Sequence, residues 1–186
     1  MLEREVKLRF DTPDEARTAV LAAGARPLRG RRLQHDSLVD TEDGMLGRKR
    51  CVLRVRQDGP TSILTFKGPV QQGPMKLREE LETAASDGDV LREILERLGM
   101  RAWFRYEKYR EEFTAEGVIV AVDETPVGTF VEIEGSSDGI TAMAAALGKG
   151  PADYLLDSYY RLFAKTREAL GFRGQDMVFD DPGRAQ

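Results

Sequence analysis

Three charged residues near the start of the chain, Glu3, Glu5 and Lys7, stand at alternating positions. Successive side chains of a β-strand point to opposite faces, so in a strand these three residues share one face. Carboxylates are hard oxygen ligands that suit Mg²⁺ or Mn²⁺, and a lysine ammonium binds phosphate oxygens as a point charge. One such triplet is weak evidence, because a solvated strand face with salt-bridging neighbours has the same alternation.

The same alternation recurs in six further segments with strand-like patterns. For example, Arg54 and Arg56 alternate with Leu53 and Val55. Seven segments in phase favour one common charged surface over seven independent solvated faces. The basic members of this surface are Lys7, Arg54, Arg56, Lys67, Arg78, Lys108 and Arg110. The acidic members are Glu3, Glu5, Glu80, Glu82, Asp123, Glu132 and Glu134.

Eight segments that alternate with period two are separated by turn-forming residues, which predicts eight β-strands. They cover about residues 2–10, 33–40, 50–57, 61–68, 77–84, 103–113, 117–124 and 127–135. Helical spacing and capping residues predict four helices. These cover about residues 13–23, 89–98, 138–147 and 152–170. The last carries a helical stripe that we expect to face the core, formed by Leu155, Tyr159, Leu162, Phe163 and Leu170. The sequence therefore predicts an α+β fold.

The predicted strands form a closed barrel if their apolar faces lie outward under the helices and their charged faces point inward. Removing fourteen charges from water without compensation would cost several kcal/mol for each ion. That cost far exceeds the roughly 5–15 kcal/mol of net stability that a domain has. We therefore expect a wet interior that holds ions, with carboxylates around divalent metal and basic groups around a triphosphate.

The bulk composition limits the class of protein. The chain has 186 residues with 41% hydrophobic composition, which fits one domain, and we place its boundaries at 1–171 with a loosely ordered tail over 172–186. A net charge of −4 argues against nucleic acid or an acidic membrane as partner. One cysteine excludes an internal disulfide, and no long apolar run is present, so we expect a soluble cytoplasmic protein.

Several short motifs occur in an order that resembles a known family. They are Glu-Arg-Glu-Val-Lys at 3–7, Gln34-His35-Asp36, Asp40-Thr41, Leu53-Arg54-Val55-Arg56, Thr65-Phe66-Lys67-Gly68-Pro69, Arg78-Glu79-Glu80-Leu81-Glu82, Lys108-Tyr109-Arg110, Asp123, Gly128-Thr129-Phe130-Val131-Glu132-Ile133-Glu134 and Ser158-Tyr159. From Met1 to about Lys165 the chain resembles the CYTH domain, or triphosphate tunnel metalloenzymes, a family that includes class IV adenylyl cyclases and thiamine triphosphatases. One departure is Val39, where the family usually has an aromatic residue before the Asp-Thr pair.

The resemblance implies an eight-stranded antiparallel tunnel in which acidic residues hold one or two Mg²⁺ or Mn²⁺ ions. It assigns metal binding to Glu3, Glu5, Asp123, Glu132 and Glu134. It assigns triphosphate binding to Lys7, Arg54, Arg56, Lys67, Lys108 and Arg110, with Arg78, Glu80 and Glu82 as further candidates. We expect the catalytic group to be Glu3, Glu5, Lys7, Glu132 and Glu134.

Two reactions are compatible with a chelated triphosphate, and they differ in the nucleophile. In an adenylyl cyclase the ribose 3′-hydroxyl of ATP attacks the α-phosphorus and pyrophosphate leaves. In a triphosphatase, acting on tripolyphosphate, thiamine triphosphate or a nucleoside triphosphate, water attacks and orthophosphate leaves. We favour the cyclase, because the length and the closing Gly-x-Phe-x-Glu-Ile-Glu strand look most like that branch.

A third alternative is a module that binds polyphosphate or a nucleotide without turnover; the intact pairs Glu3/Glu5 and Glu132/Glu134 argue against it. The expected partner is a small-molecule triphosphate, and the protein is a monomer or a homodimer. We expect a structural or surface role for His35, the single histidine.

Overall fold

A computed structural model describes residues 1–180 and contains eight antiparallel strands. The strands are β1 (Leu2–Phe10), β2 (Arg26–Thr41), β3 (Val52–Asp58), β4 (Thr61–Lys67), β5 (Lys76–Ala85), β6 (Met100–Ala115), β7 (Val118–Thr125) and β8 (Gly128–Gly135). They close into a barrel in the order β1-β5-β4-β3-β2-β6-β7-β8. The predicted α+β fold and closed eight-stranded barrel are confirmed.

Two strands, β2 and β6, are longer than the sequence predicts. β2 begins at Arg26 and β6 at Met100, and the two strands pair with each other from Arg26↔Thr114 to Thr41↔Met100. The added part of β2 has no apolar alternation and is held by ion pairs across the strands, such as Arg32 to Glu112 at 2.8 Å. Cross-strand charge pairs stabilise a sheet without an apolar face, which explains why the hydrophobic pattern does not indicate this extension.

The apolar core lies outside the barrel, under two helices. α1 (Pro13–Ala22) and α4 (Ser137–Ala146) cover β1, β7 and β8. Val6, Leu8 and Ile133 belong to this core and are at most 1% exposed. Because Val6 and Leu8 point outward, the intervening Lys7 must point inward. The outward apolar and inward charged faces therefore agree with the predicted orientation.

Local signals set the ends of the outer helices. Thr12 is the N-cap of α1 and accepts a hydrogen bond from the Glu15 amide at 3.2 Å, and Gly24 follows the helix with φ +88°. α2 (Met45–Arg48) is one turn, and α3 (Gly88–Arg97) lies against β3, β4 and β6. No helix within residues 1–180 is long and apolar enough to cross a membrane.

The last helix, α5, covers Tyr159–Thr166, much less than the predicted 152–170. Ser158 caps it through the amide of Arg161, so the helix cannot begin earlier without losing this bond. Upstream, the Leu155 amide donates to the carbonyl of Lys7 at 2.8 Å and holds the chain in an extended bridge to β1. Downstream, Leu170 is 54% exposed, so it does not belong to a core-facing stripe.

A segment that we call the C-terminal strap, residues 172–180, lies along β6. The Met177 amide donates to the Arg105 carbonyl, and the Glu107 amide donates to the Met177 carbonyl, both at 2.9 Å. Met177 is fully buried, and the Phe179 ring packs on Tyr109. The strap therefore differs from the loosely ordered tail expected for 172–186; residues 181–186 lie outside the described residues. It docks because β7 stops pairing at Tyr109↔Glu124, which leaves that edge of β6 without a neighbouring strand.

A charged tunnel as the candidate active site

The barrel encloses a cavity of about 460 Å³. It is lined by every charged residue that the sequence places on the common surface, except Asp123. Alternation within each strand and the pairing of neighbouring strands bring these residues together, since Lys7 pairs with Glu132 and Lys67 with Glu80. The cavity therefore has a charged lining built from six of the strands named above.

One side of the cavity, which we call the acidic wall, consists of Glu3, Glu5, Glu80, Glu132 and Glu134 on β1, β5 and β8. Glu5 and Glu134 are direct cross-strand partners, and Glu3 stands two residues before Glu5 on the same face. Glu3 and Glu80 share a single ammonium, that of Lys67, at 3.0 and 2.5 Å. The carboxylates of Glu3, Glu5 and Glu134 thus share one patch of the wall, and Glu80 lies beside this patch.

The pKa values of the acidic wall report a shortage of positive charge. Burial, a hydrogen bond with Glu80 and the charge of Glu5 raise the pKa of Glu3 to about 7. Burial and the charges of Glu3 and Glu5 also raise the pKa of Glu134, although this residue lies at the solvent-exposed mouth. Burial alone would raise the pKa of Glu5, but its ion pair with Lys76 holds it far below its ordinary value. Glu3 and Glu134 are therefore carboxylates of this wall whose pKa is raised, and Glu3 keeps its raised pKa even though it contacts Lys67 and Arg78.

The opposite side, which we call the basic wall, consists of Arg54, Arg56, Lys108 and Arg110 on β3 and β6. Arg54 and Arg56 both face Asp36, with N–O distances of 3.4 and 2.8 Å. Asp36 is 1% exposed; burial alone would raise its pKa, but Arg56 and Arg54 hold it below its ordinary value. The single carboxylate of Asp36 therefore forms ion pairs with two guanidinium groups.

Asp123 forms ion pairs with both Lys108 and Arg110, with N–O distances of 2.8 and 2.5 Å. Burial and the positive charge of Arg110 lower the pKa of Lys108 to about 7, against the opposing effect of Asp123. The Nε–H group of Arg54 is buried and has no hydrogen-bond partner among the described residues. The basic wall therefore has more cationic groups than carboxylates, and Arg54 Nε, 3.4 Å from Asp36, has an ion-pair contact but no hydrogen bond within the described part of the chain; such a wall suits phosphate oxygens.

Glu132 connects the two walls. One of its carboxylate oxygens accepts from Lys7 at 2.6 Å, and the other contacts Arg110. Burial alone would raise its pKa, but Lys7 and Arg110 hold it well below its ordinary value. Glu132 is therefore a charged carboxylate whose two oxygens are both engaged.

Asp123 differs from the other predicted site residues in its position. It is fully buried behind the basic wall, and its oxygens accept from Lys108, Arg110 and the phenol of Tyr159. His35 lies on the outer face, with Nδ1 2.9 Å from a carboxylate oxygen of Glu107. Within residues 1–180 no three His, Cys, Asp or Glu side chains form a ready metal-binding group, and the carboxylates of the acidic wall are turned towards lysine and arginine.

Sequence reasoning misses three residues of the tunnel. Asp36 stands in phase with Gln34 and Leu38 on β2, so its inward position is readable from the alternation, but not its pairing with two arginines. Lys76 is in phase with Arg78, but the predicted strand begins one residue after it. Tyr159 belongs to the predicted helical stripe and to a sequence motif, but neither pattern indicates that its hydroxyl donates to Asp123.

Comparisons with known proteins identify the family of this closed barrel with a charged interior. The model of the CYTH domain matches residues 1–149, and the chain belongs to the CYTH domain family. It is 26% identical over 141 residues to a protein of Methanocaldococcus jannaschii named "putative adenylate cyclase", covering 75% of this chain and 80% of that protein.

Two solved structures share the fold. An X-ray structure from Vibrio parahaemolyticus, described as a "putative adenylate cyclase", has a TM-score of 0.77 at 20% identity and covers 88% of this chain and 98% of that one. The protein HpAC1 from Hippeastrum, described as having a dominant triphosphatase activity, has a TM-score of 0.67 at 21% identity. The match covers 88% of this chain and 95% of that one. These similarities support the architecture of the tunnel.

Proposed function

We propose that this protein is a divalent-metal-dependent enzyme that acts on the triphosphate group of a small molecule bound in the tunnel. The observation that carries the proposal is the opposite imbalance of the two walls. The pKa of Glu3 is raised by burial and nearby carboxylates, whereas the pKa of Lys108 is lowered by burial and Arg110. A cation beside the acidic wall and an anion beside the basic wall would relieve both imbalances.

The donor set of the acidic wall fits Mg²⁺ or Mn²⁺. Glu3, Glu5 and Glu134 offer hard oxygen ligands from adjacent strands, and two of the three have raised pKa values, caused first by burial and then by carboxylate neighbours. We assign the metal to these three residues, with Glu132 beside them. Asp123 is better suited to hold Lys108 and Arg110, because all its contacts are with donors.

The basic wall would hold the triphosphate. Arg54 and Arg56 present planar guanidinium groups for forked contacts, and Lys7 and Lys108 supply point charges across the cavity. The bound metal would supply charge neutralisation of the phosphate oxygens and activation of the attacking oxygen. These side chains would orient the phosphates and stabilise the negative charge that develops on the leaving group.

ATP cyclisation is the first candidate reaction, as the relative from Methanocaldococcus jannaschii bears a cyclase name and matches most of the chain. In that reaction the 3′-oxygen forms a bond to the α-phosphorus, the bond from that phosphorus to the bridging oxygen breaks, and the hydroxyl proton passes to solvent. Hydrolysis of the triphosphate is the second candidate. Hydrolysis of a triphosphate does not require a site for a nucleobase. Among the described residues that line the cavity, the aromatic ones are Tyr106 and Tyr159, and their rings pack on each other.

Product analysis separates these reactions. The protein is incubated with Mg²⁺ or Mn²⁺ and, separately, with ATP, tripolyphosphate and thiamine triphosphate, and products are identified by ³¹P NMR and chromatography. Cyclic AMP with pyrophosphate identifies the cyclase, and orthophosphate identifies the triphosphatase. Tight binding without turnover of any substrate would overturn the enzymatic proposal and leave a binding module.

A further inference from the structure

Tyr159, the first residue of α5, reaches into the wall of the tunnel. Its phenol donates to a carboxylate oxygen of Asp123 at 2.6 Å, and its side chain lines the cavity. Its ring also lies beneath two ammonium groups, with Lys7 Nζ 4.5 Å and Lys108 Nζ 5.0 Å from the ring centroid. One side chain therefore contacts three charged residues of the site.

The contacts of Asp123 show what the phenol can control. The carboxylate accepts from Lys108 at 2.8 Å, from Arg110 at 2.5 and 2.6 Å, and from Tyr159. A carboxylate with donors on both oxygens has one favoured orientation, and ionised hydrogen bonds in a buried setting reinforce each other. The orientation of Asp123 in turn sets the positions of Lys108 and Arg110 in the basic wall.

The ring acts on the lysines by a second route. An ammonium over an aromatic face is attracted by the negative charge of that face. Lys7 and Lys108 belong to different strands, β1 and β6, yet both lie over the same ring. The ring therefore contacts two ammonium groups from different strands, both of which the proposed function assigns to phosphate oxygens.

The rest of α5 holds Tyr159 in place. Ser158 caps the helix, and Leu162 and Phe163 are buried in a cluster with Phe104 and Phe130. The C-terminal strap closes this cluster with the fully buried Met177. Such packing limits the ring to one position, which is what a group needs if it is to orient others.

We propose that Tyr159 is a positioning residue for triphosphate binding, which sets Lys108 and Arg110 through its hydrogen bond to Asp123 and sets Lys7 and Lys108 through its ring. The inference rests on the proposed function, because it assumes that these basic groups bind the substrate phosphates. It assigns Tyr159 no part in bond making or breaking.

The test separates the two routes with two variants and a matched control. Tyr159→Phe keeps the ring and removes the phenol, and Tyr159→Leu removes both. Tyr160→Phe is the control, because Tyr160 is the next residue of the same helix and packs on Trp103 outside the cavity. Binding of tripolyphosphate is measured by isothermal titration calorimetry in EDTA, so that no metal contributes, and KM and kcat are then measured with Mg²⁺.

We expect the dissociation constant of tripolyphosphate to rise about tenfold in Tyr159→Phe, the usual effect of losing a hydrogen bond to a charged group. In Tyr159→Leu it should rise by about a further tenfold, as the cation–π contacts are also lost. Tyr160→Phe should bind like the unaltered protein. KM should follow the dissociation constants while kcat changes by less than about threefold, a split that general loss of structure would not produce.

The outcomes distinguish this inference from the proposed function. Unchanged binding in Tyr159→Phe, with turnover intact, overturns the inference alone. Weakened binding in a protein that turns over none of the three substrates overturns the enzymatic proposal and supports the positioning role. No binding of tripolyphosphate by the unaltered protein overturns both. If Tyr159→Leu does not fold, the conservative Tyr159→Phe decides.

Discussion

The two walls of the tunnel use buried carboxylates in opposite ways. On the basic wall, Asp36 and Asp123 each face two cationic side chains, and no negative charge remains unpaired there. On the acidic wall, Glu3 shares Lys67 with Glu80, and its pKa rises to about 7, first through burial and then through its carboxylate neighbours. The difference separates carboxylates that each pair with two cations from carboxylates that share a cation, and we propose the latter wall as the site of the metal ion.

The largest expected effect comes from removing a carboxylate of the acidic wall. Glu134→Gln and Glu5→Gln should each lower Mg²⁺-dependent turnover by about a hundredfold or more, since a metal ion contributes several kcal/mol to the transition state. Glu79→Gln, on the outer face of β5, is the control and should leave turnover unchanged. Steady-state assays with saturating Mg²⁺ make the measurement. Full activity in both tunnel variants would contradict the metal assignment.

The variants Glu5→Gln and Glu134→Gln should differ in their free energy of unfolding. Glu5 neutralises the buried ammonium of Lys76, so Glu5→Gln leaves an uncompensated charge and should lower the free energy of unfolding by about 2–3 kcal/mol. Glu134 is solvent-exposed and lacks such a partner among the described residues, so Glu134→Gln should not destabilise the fold. Urea unfolding without metal measures both. Equal loss in the two variants would mean that Lys76 does not depend on Glu5.

On the basic wall, Arg56→Ala should weaken tripolyphosphate binding by about tenfold and also lower the free energy of unfolding by about 2 kcal/mol. The free energy of unfolding falls because Asp36 keeps only Arg54 as its ion-pair partner. The double variant Arg56→Ala, Asp36→Asn should recover stability without recovering binding. Calorimetry and urea unfolding provide the two readouts, and recovery of binding in the double variant would show that Arg56 acts only through Asp36.

Metal binding should depend on pH with a definite sign. Glu3, with its pKa near 7, carries a proton below that pH, and a metal ion must displace it. Each such proton makes Mg²⁺ bind about tenfold tighter at pH 8 than at pH 6, and Glu134, whose pKa is also about 7, contributes a second; both protons are released on binding. Calorimetry in two buffers of different ionisation enthalpy measures both quantities. Affinity that is flat across this range would place Glu3 outside the metal site.

The smallest expected effect also concerns Glu3, and it is a change in the thermal stability of the protein. Because the folded protein holds the Glu3 proton more tightly than the unfolded chain does, this carboxyl costs stability as the pH rises from 4.5 towards 7. Glu3→Gln removes that cost, so at pH 8 without metal the midpoint of thermal unfolding should rise by about 2–4 °C. At pH 5 the change should be negligible. A lower midpoint at pH 8 would show that the ion pair with Lys67 outweighs the repulsion.

The inward position of the charged residues was predictable, whereas their partners were not. Alternation in a strand depends on one segment alone, so Glu3, Arg56 and Glu132 could be placed on the inner face from the sequence. Pairing depends on how distant strands align in the closed barrel. The pairs of Glu5 with Lys76 and of Asp123 with Lys108 arise from that alignment, which no local pattern indicates.

The C-terminal region was harder to predict for a related reason. The helical stripe from Leu155 to Leu170 is correct in period but not in extent, because Leu155 is drawn into a bridge with Lys7. The strap has no periodicity, and Met177 is buried where the strap hydrogen-bonds to β6 at Arg105 and Glu107, beyond the end of the pairing of β6 with β7. Both features follow from tertiary contacts that override local preference.

α5 packs on the barrel through the cluster that contains Phe104 and Phe130, and the buried side chain of its first residue, Tyr159, is part of the cavity lining. The lining therefore includes a buried residue, Tyr159, and an exposed one, Glu134. Under the function proposed above, the phosphates would lie nearer Tyr159 and any bulkier part of the substrate nearer Glu134. A product fragment held near Tyr159 would then leave after a fragment held near Glu134, and the fragment released last should act as a competitive inhibitor, since it can rebind to the empty enzyme.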